Sequence, residues 1–159
     1  MATELGRFEQ VARRAHQFSE ATQRSRGVVH PFEERNIAPE LPAIVQELFD
    51  NGHYAQATFE AYKFVDKEVQ RHAKASKSGF QLMIDALGGA SPTVRLTPMV
   101  TVSQQDEQKG FQFLFAGAVL AIRNPRGHEY AISEDPDLCL DHLTLASLLL
   151  RRLADAGYK

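Results

Sequence analysis

FQFLFAGAVLAIRNPRGHEY, residues 111 to 130, is the stretch on which the fold turns. From Phe113 to Ile122 it carries no charge, and Phe111, Leu114, Phe115, Val119, Leu120 and Ile122 point in several helical directions. A helix apolar on every side is expected to be buried. Pro125 disfavours the α conformation at the residue before it, which predicts that the helix stops near Asn124. Arg123 then occupies the last turn, and His128 follows after a short turn loosened by Gly127.

Working outward, the other segments read as helices. Leu5, Phe8, Ala12, Ala15 and Phe18 recur at steps of three and four, giving an amphipathic helix over 3–24 with Arg7, Glu9, Arg13 and Arg14 opposite. Gly27, Pro31 and Pro39 punctuate a connector. Leu41, Ile44, Val45, Leu48 and Phe49 form a short helix closed by Asn51-Gly52. Tyr54, Thr58, Ala61, Val65 and Val69 stripe a longer one from about His53 to Ser76. Its polar face holds Glu60, Lys63, Asp66, Lys67 and Glu68. A brief helix over Phe80 to Leu87 ends at Gly88-Gly89. Residues 90–102 lean towards β structure, but Pro92 and Pro98 favour a hairpin or irregular loop over a central strand. Ser103 to Asp106 has the form of a helix start. Asp135-Pro136-Asp137 starts the last, Leu-rich helix, over about 136–155.

The whole is expected to be an all-α bundle of about five helices, with 1–38 as N-terminal helix and connector and 39–159 as the helical domain. The 159 residues are 43% hydrophobic and 24% charged with a net charge of −2, so any polyanion needs a local basic patch. Cys139 is the single cysteine, which excludes an internal disulfide and a cysteine-built zinc site. No apolar run reaches membrane-spanning length and no leader precedes the first helix, giving a cytoplasmic expectation with no membrane partner. No histidine pair has metal-ligand spacing, so neither a metal nor another cofactor is expected.

Arg123 and His128 suit one chemistry. A fixed guanidinium grips a phosphate with two hydrogen bonds. An imidazole that titrates near neutrality takes a proton from a 2′-hydroxyl and returns one to a leaving oxygen. The bland reading is a helix-end cation beside a surface histidine; an Arg and a His a few positions apart also occur at Arg24 and His30.

RNPRGH, Arg123 to His128, resembles the R-x(4–6)-H signature of the HEPN superfamily. LFDNGHYAQATFEAYKFVDKEV (48–69), SQQDEQKGFQFLFAGAVLAIRNPRGHE (103–129) and DPDLCLDHLTLASLLLRRL (135–153) together resemble its bacterial and phage-borne Ymh or Abi-like branch, over about residues 40–155. The resemblance implies a HEPN-like bundle that dimerises so that two Arg/His loops share one cleft. It also implies metal-independent RNase activity in toxin–antitoxin or antiphage systems. On that pattern Arg123 and His128 are catalytic, Asn124 holds the loop or the phosphate, and Glu60 or Lys63 supplies a further polar group. Arg126 either touches the RNA backbone or stays solvated. Tyr130 completes R-x4-H-x-Y, a form that a partner nucleotidyltransferase modifies in some toxins; an antitoxin is the other partner implied. The alternatives are a non-catalytic nucleotide-binding module and a helical interaction or dimerisation domain.

Overall fold

The computed structural model describes residues 29–129 and 132–158, and every regular element in them is helical. The chain divides into two compact units, Met1–Glu34 and Arg35–Lys159. In the first, α1 (Pro31–Glu34) is a single turn, with the Phe32 N–H donating to Nδ1 of His30 at 3.1 Å. The helix expected over 3–24 lies outside the described residues.

The second unit begins with residues read from the sequence as connector. Ile37 and Ala38 are buried, and the Ala38 N–H donates to Oγ of Ser147 at 2.9 Å. Helix α2 (Ala43–Asp50) buries Val45 and Phe49 and stops at Gly52, whose φ of +76° suits a residue without a Cβ. Helix α3 (Tyr54–Ala73) buries Ala57, Thr58, Ala61, Tyr62, Val65, Asp66 and Val69 in an i, i+3/i+4 row and ends at left-handed Lys74, slightly short of Ser76. Asp66, expected on the polar face, is instead buried, and its carboxylate accepts the Gly79 N–H at 2.7 Å. That bond starts α4 (Gly79–Leu87).

Helix α4 stops at Gly88, where an added Cβ would lie 2.0 Å from Nε2 of Gln112 and 2.4 Å from the Ile84 carbonyl. The segment that follows contains no strand. Its prolines remove donors a ladder needs, and one side chain organises it instead. Buried Gln108 accepts the Leu96 N–H at 2.7 Å and donates to the carbonyls of Leu87 (2.8 Å) and Val94 (3.1 Å).

Helix α5 (Val102–Ala118) starts slightly before the expected cap. Thr101 and Gln104 form the reciprocal capping box, so Ser103 is already inside the helix. The helix does not stop at Asn124. It widens into a π turn (Val119–Arg123) and resumes as α6 (Asn124–His128), ending at Glu129. The Asn124 N–H reaches back to the Val119 carbonyl, five residues away. Pro125 has no N–H and its ring would press on the carbonyl four residues earlier; the wider turn moves that carbonyl aside. Helix α7 (Pro136–Asp155) starts where expected, with Asp135 accepting the Leu138 N–H at 2.9 Å.

Helix α3 packs against α2, α4, α7 and the π turn, and α5 packs on α4. One expectation reverses. Phe115, Ala116, Ala118 and Val119 face the core, while Phe113, Leu114 and Leu120 are exposed. The central helix is therefore buried on one side only. Replacing Gln108 by Leu would strand buried backbone groups at about 1–3 kcal/mol each. We expect urea unfolding of Gln108→Leu to show a loss of at least about 2 kcal/mol, with the helical circular dichroism otherwise retained.

Candidate functional site: the Arg/His helix end

The π turn decides what faces where. It inserts one extra residue, so side chains after it are re-phased relative to α5. Gly127 and Arg123, four apart, both come to lie on Phe59 of α3. The Arg123 guanidinium carbon is 5.8 Å from the Phe59 ring centroid, a cation–π approach. A Cβ on Gly127 would lie 3.1 Å from the same ring, so the residue read as a loosener permits close packing instead.

Arg123 is partly buried and meets no carboxylate among the described residues. Its Nη1 donates to Oδ1 of Asn124 at 3.4 Å, a long bond, and its Nε is buried without a partner. Nη1 also lies 3.8 Å from where a Gly79 side chain would begin. Lys63 Nζ lies 6.0 Å from the centroid of the same aromatic ring and donates to both oxygens of Glu60 at 3.0 Å. Arg123, Asn124, Lys63 and Glu60 thus gather around Phe59.

His128 does not join them. It is exposed at the end of α6, and five helical residues carry it about 140° around the axis and about 7.5 Å along it from Arg123, before the π turn's edge is counted. Exposed Gly110, Phe113, Leu114, Gly117, Leu120 and Ala121 follow one another at steps of one and three and make one apolar strip. Beyond the π turn Pro125 and the His128 imidazole are exposed as well. Tyr130 lies outside the described residues.

Arg126 is neither solvated nor open to a substrate. Its side chain is 8% exposed and its Nε donates to Oε2 of Glu134, itself fully buried, at 2.8 Å. Nη1 donates to the Ile122 carbonyl at 2.8 Å. Oε1 of Glu134 accepts from Thr58 at 2.9 Å and lies 2.7 Å from Nδ1 of His142. So short an approach to a carboxylate assigns the proton to Nδ1. The 3.3 Å contact from Arg126 Nη2 to that nitrogen is then packing rather than a hydrogen bond. Tyr62 donates to the His142 carbonyl at 2.9 Å, and burial raises its phenol above the ordinary range. Burial likewise pushes the Cys139 thiol up to about 11, with the Thr58 hydroxyl beside it opposing. Sequence reasoning missed Glu134 and His142, because nothing near either in the chain marks it as a partner of Arg126.

A concavity of about 440 Å³ lies along the first half of α5, between Gly88, Met99, Gln105, Lys109 and Gln112. It does not adjoin the Arg/His helix end. Among the described residues no group of three His, Cys, Asp or Glu side chains is placed to hold a metal ion, and no helix is long and apolar enough to cross a membrane.

Glu134→Ala strands a buried guanidinium, and breaking a buried pair in this way costs about 3–5 kcal/mol. Chemical denaturation should register that loss. At pH 8 the Cys139 thiol stays protonated and shielded, so a thiol-specific chromogenic disulfide should react with it only once the protein is unfolded.

No curated protein matches the chain, and no solved structure does. A family model does, over residues 35–153, which takes in α2 to α6, all but the last two residues of α7, and the whole Arg123–His128 segment. The chain belongs to that family, described as a protein of unknown function (Hypoth_ymh).

Proposed function

We propose that this protein is a metal-independent endoribonuclease of HEPN type that works as a homodimer, in a toxin–antitoxin or antiphage setting. One observation carries the reading. Arg123 has an unpartnered buried Nε on the α3 side of its helix, while His128 is exposed beyond the end of an uncovered apolar strip. In one copy the two groups stand five positions apart on a helix, which ideal geometry puts on different sides of it. Two copies packed through the strip bring the groups of one beside those of the other. A two-fold seam needs a surface that complements itself, and Gly110 and Gly117 leave open hollows between Phe113, Leu114 and Leu120, nothing lying within 4 Å of either glycine's Cβ position.

In the shared cleft Arg123 holds the non-bridging oxygens of the scissile phosphate, with Asn124 steadying the fork. His128 takes the proton of the 2′-hydroxyl, the 2′-oxygen bonds to phosphorus, and the bond from phosphorus to the 5′-oxygen breaks. The proton now on that imidazole is returned to the departing oxygen, directly or through water. The products are a 2′,3′-cyclic phosphate and a 5′-hydroxyl end. Acid–base help of this kind supplies about 10²–10⁴-fold.

The second reading is a non-catalytic module, either dimerising or nucleotide-binding, and the same apolar strip favours it. Cleavage of a labelled RNA separates the two. Arg123→Ala and His128→Ala should each lower cleavage at least about 100-fold without loss of helicity, and EDTA should leave it unchanged. Mixing the two inactive variants should partly restore cleavage, because one mixed dimer holds an intact Arg from one copy and an intact His from the other. Leu114→Glu should give an inactive monomer by light scattering. A native chain that is monomeric at micromolar concentration, or cuts no RNA, overturns the nuclease reading.

A further inference from the structure

Four of the chain's six lysines lie within residues 63–77, although the chain as a whole is mildly acidic. Lys63, Lys67, Arg71 and Lys74 follow one another at steps of four, four and three along α3, and all four are exposed. Helical geometry puts them within about 80° of arc, spaced about 6 Å apart or less, over roughly 16 Å of length. Lys77 continues the row, because Gln70 donates to the carbonyls of Ser76 (3.3 Å) and Lys77 (2.8 Å) and ties that turn back onto α3. Lys67 donates to the same Gln70 side chain at 2.9 Å.

Three of these cations have carboxylate neighbours, the ordinary arrangement of a solvated helix face. Two features set this face apart. Lys67 and Lys74 meet no carboxylate among the described residues. In the pairs within α3 the carboxylate lies lower than the cation: Lys63 and Glu60 are 46% and 30% exposed, and Arg71 and Glu68 are 53% and 21% exposed. A polyanion therefore meets positive charge first. The row begins at the Phe59 ring that Lys63 and Arg123 share, and exposed Phe80 follows Gly79, beside which the Arg123 fork lies.

We propose that this face of α3 is a track for the sugar–phosphate backbone of single-stranded RNA, leading to Arg123, with Phe80 offering a flat surface to a base. A single row of cations with an aromatic ring beside it suits one strand, whose neighbouring phosphates are spaced comparably. The inference rests on the nuclease reading for its direction along α3, and it is tested separately from cleavage.

The probe is a fluorescent 2′-O-methyl RNA 20-mer, which keeps the charge and bases but has no 2′-hydroxyl to attack. Its anisotropy is followed on adding the full chain between 25 and 200 mM salt, roughly the range over which such contacts fade. Lys67→Gln with Lys74→Gln should weaken binding about tenfold at low salt and flatten the log–log salt slope by about 1.4, the value for two lost phosphate contacts on a single strand. The matched loss of charge at Arg95→Gln with Lys109→Gln should change neither. Equal weakening by both double variants, tighter binding of a duplex, or no binding by the native chain overturns the track. Binding through the track without cleavage of an all-ribose RNA keeps it and removes the nuclease. Cleavage that is indifferent to Lys67 and Lys74 does the reverse.

Discussion

A carboxylate side chain with no exposed surface, Glu134, is the point at which α3, α6 and α7 are held to one another. It binds the Arg126 guanidinium from α6, the Thr58 hydroxyl from α3 and the His142 imidazole from α7. A charge so placed is tolerable only when every neighbouring polar group faces it correctly. The arrangement is therefore discriminating: α6 can settle against α3 and α7 in few other ways without stranding an ion. Arg126 also takes up the Ile122 carbonyl, in the turn that Pro125 disturbs. The same arginine thus joins the distorted turn to the body of the fold.

Arg123 has the opposite character. Three residues earlier on the same helix, it is given an aromatic ring instead of an anion, and its Nε has no partner. Of two arginines in one hexapeptide, one is neutralised internally and the other keeps its hydrogen-bonding capacity. That division of roles is a firmer pointer to an anionic ligand than the spacing of Arg and His alone.

Much of the architecture was legible because its causes are local. Asp135-Pro136 capped a helix as such a pair should, and the apolar periodicities of α3 and α7 marked their buried faces. What could not be read depends on distance in the chain. Arg123 and Arg126 look alike in sequence, and only the fold reveals that Glu134 waits for one of them. Asp66 sat among charged neighbours and yet caps another helix. The apolarity of α5 was seen but assigned wholly to the core, since an unbroken apolar run does not show which of its side chains the fold leaves exposed. Pro125 was read as a stop because the rule for prolines assumes 3.6 residues per turn, and a wider turn evades it. Gly127 was read as loosening a turn, whereas its missing side chain makes room for Phe59.

The π turn has a consequence of its own. A helix with one surplus residue is a rod with a dislocation: the residues before Val119 keep time with one set of neighbours, and those after Arg123 with another. The two ends of a single rigid element can then be tuned independently, the first for its seating on α4 and the second for the direction in which its charged groups look. Shortening that turn by one residue would leave composition and helicity almost untouched. It would still swing the far end by about a quarter revolution, like a key cut to the right profile and inserted on the wrong side.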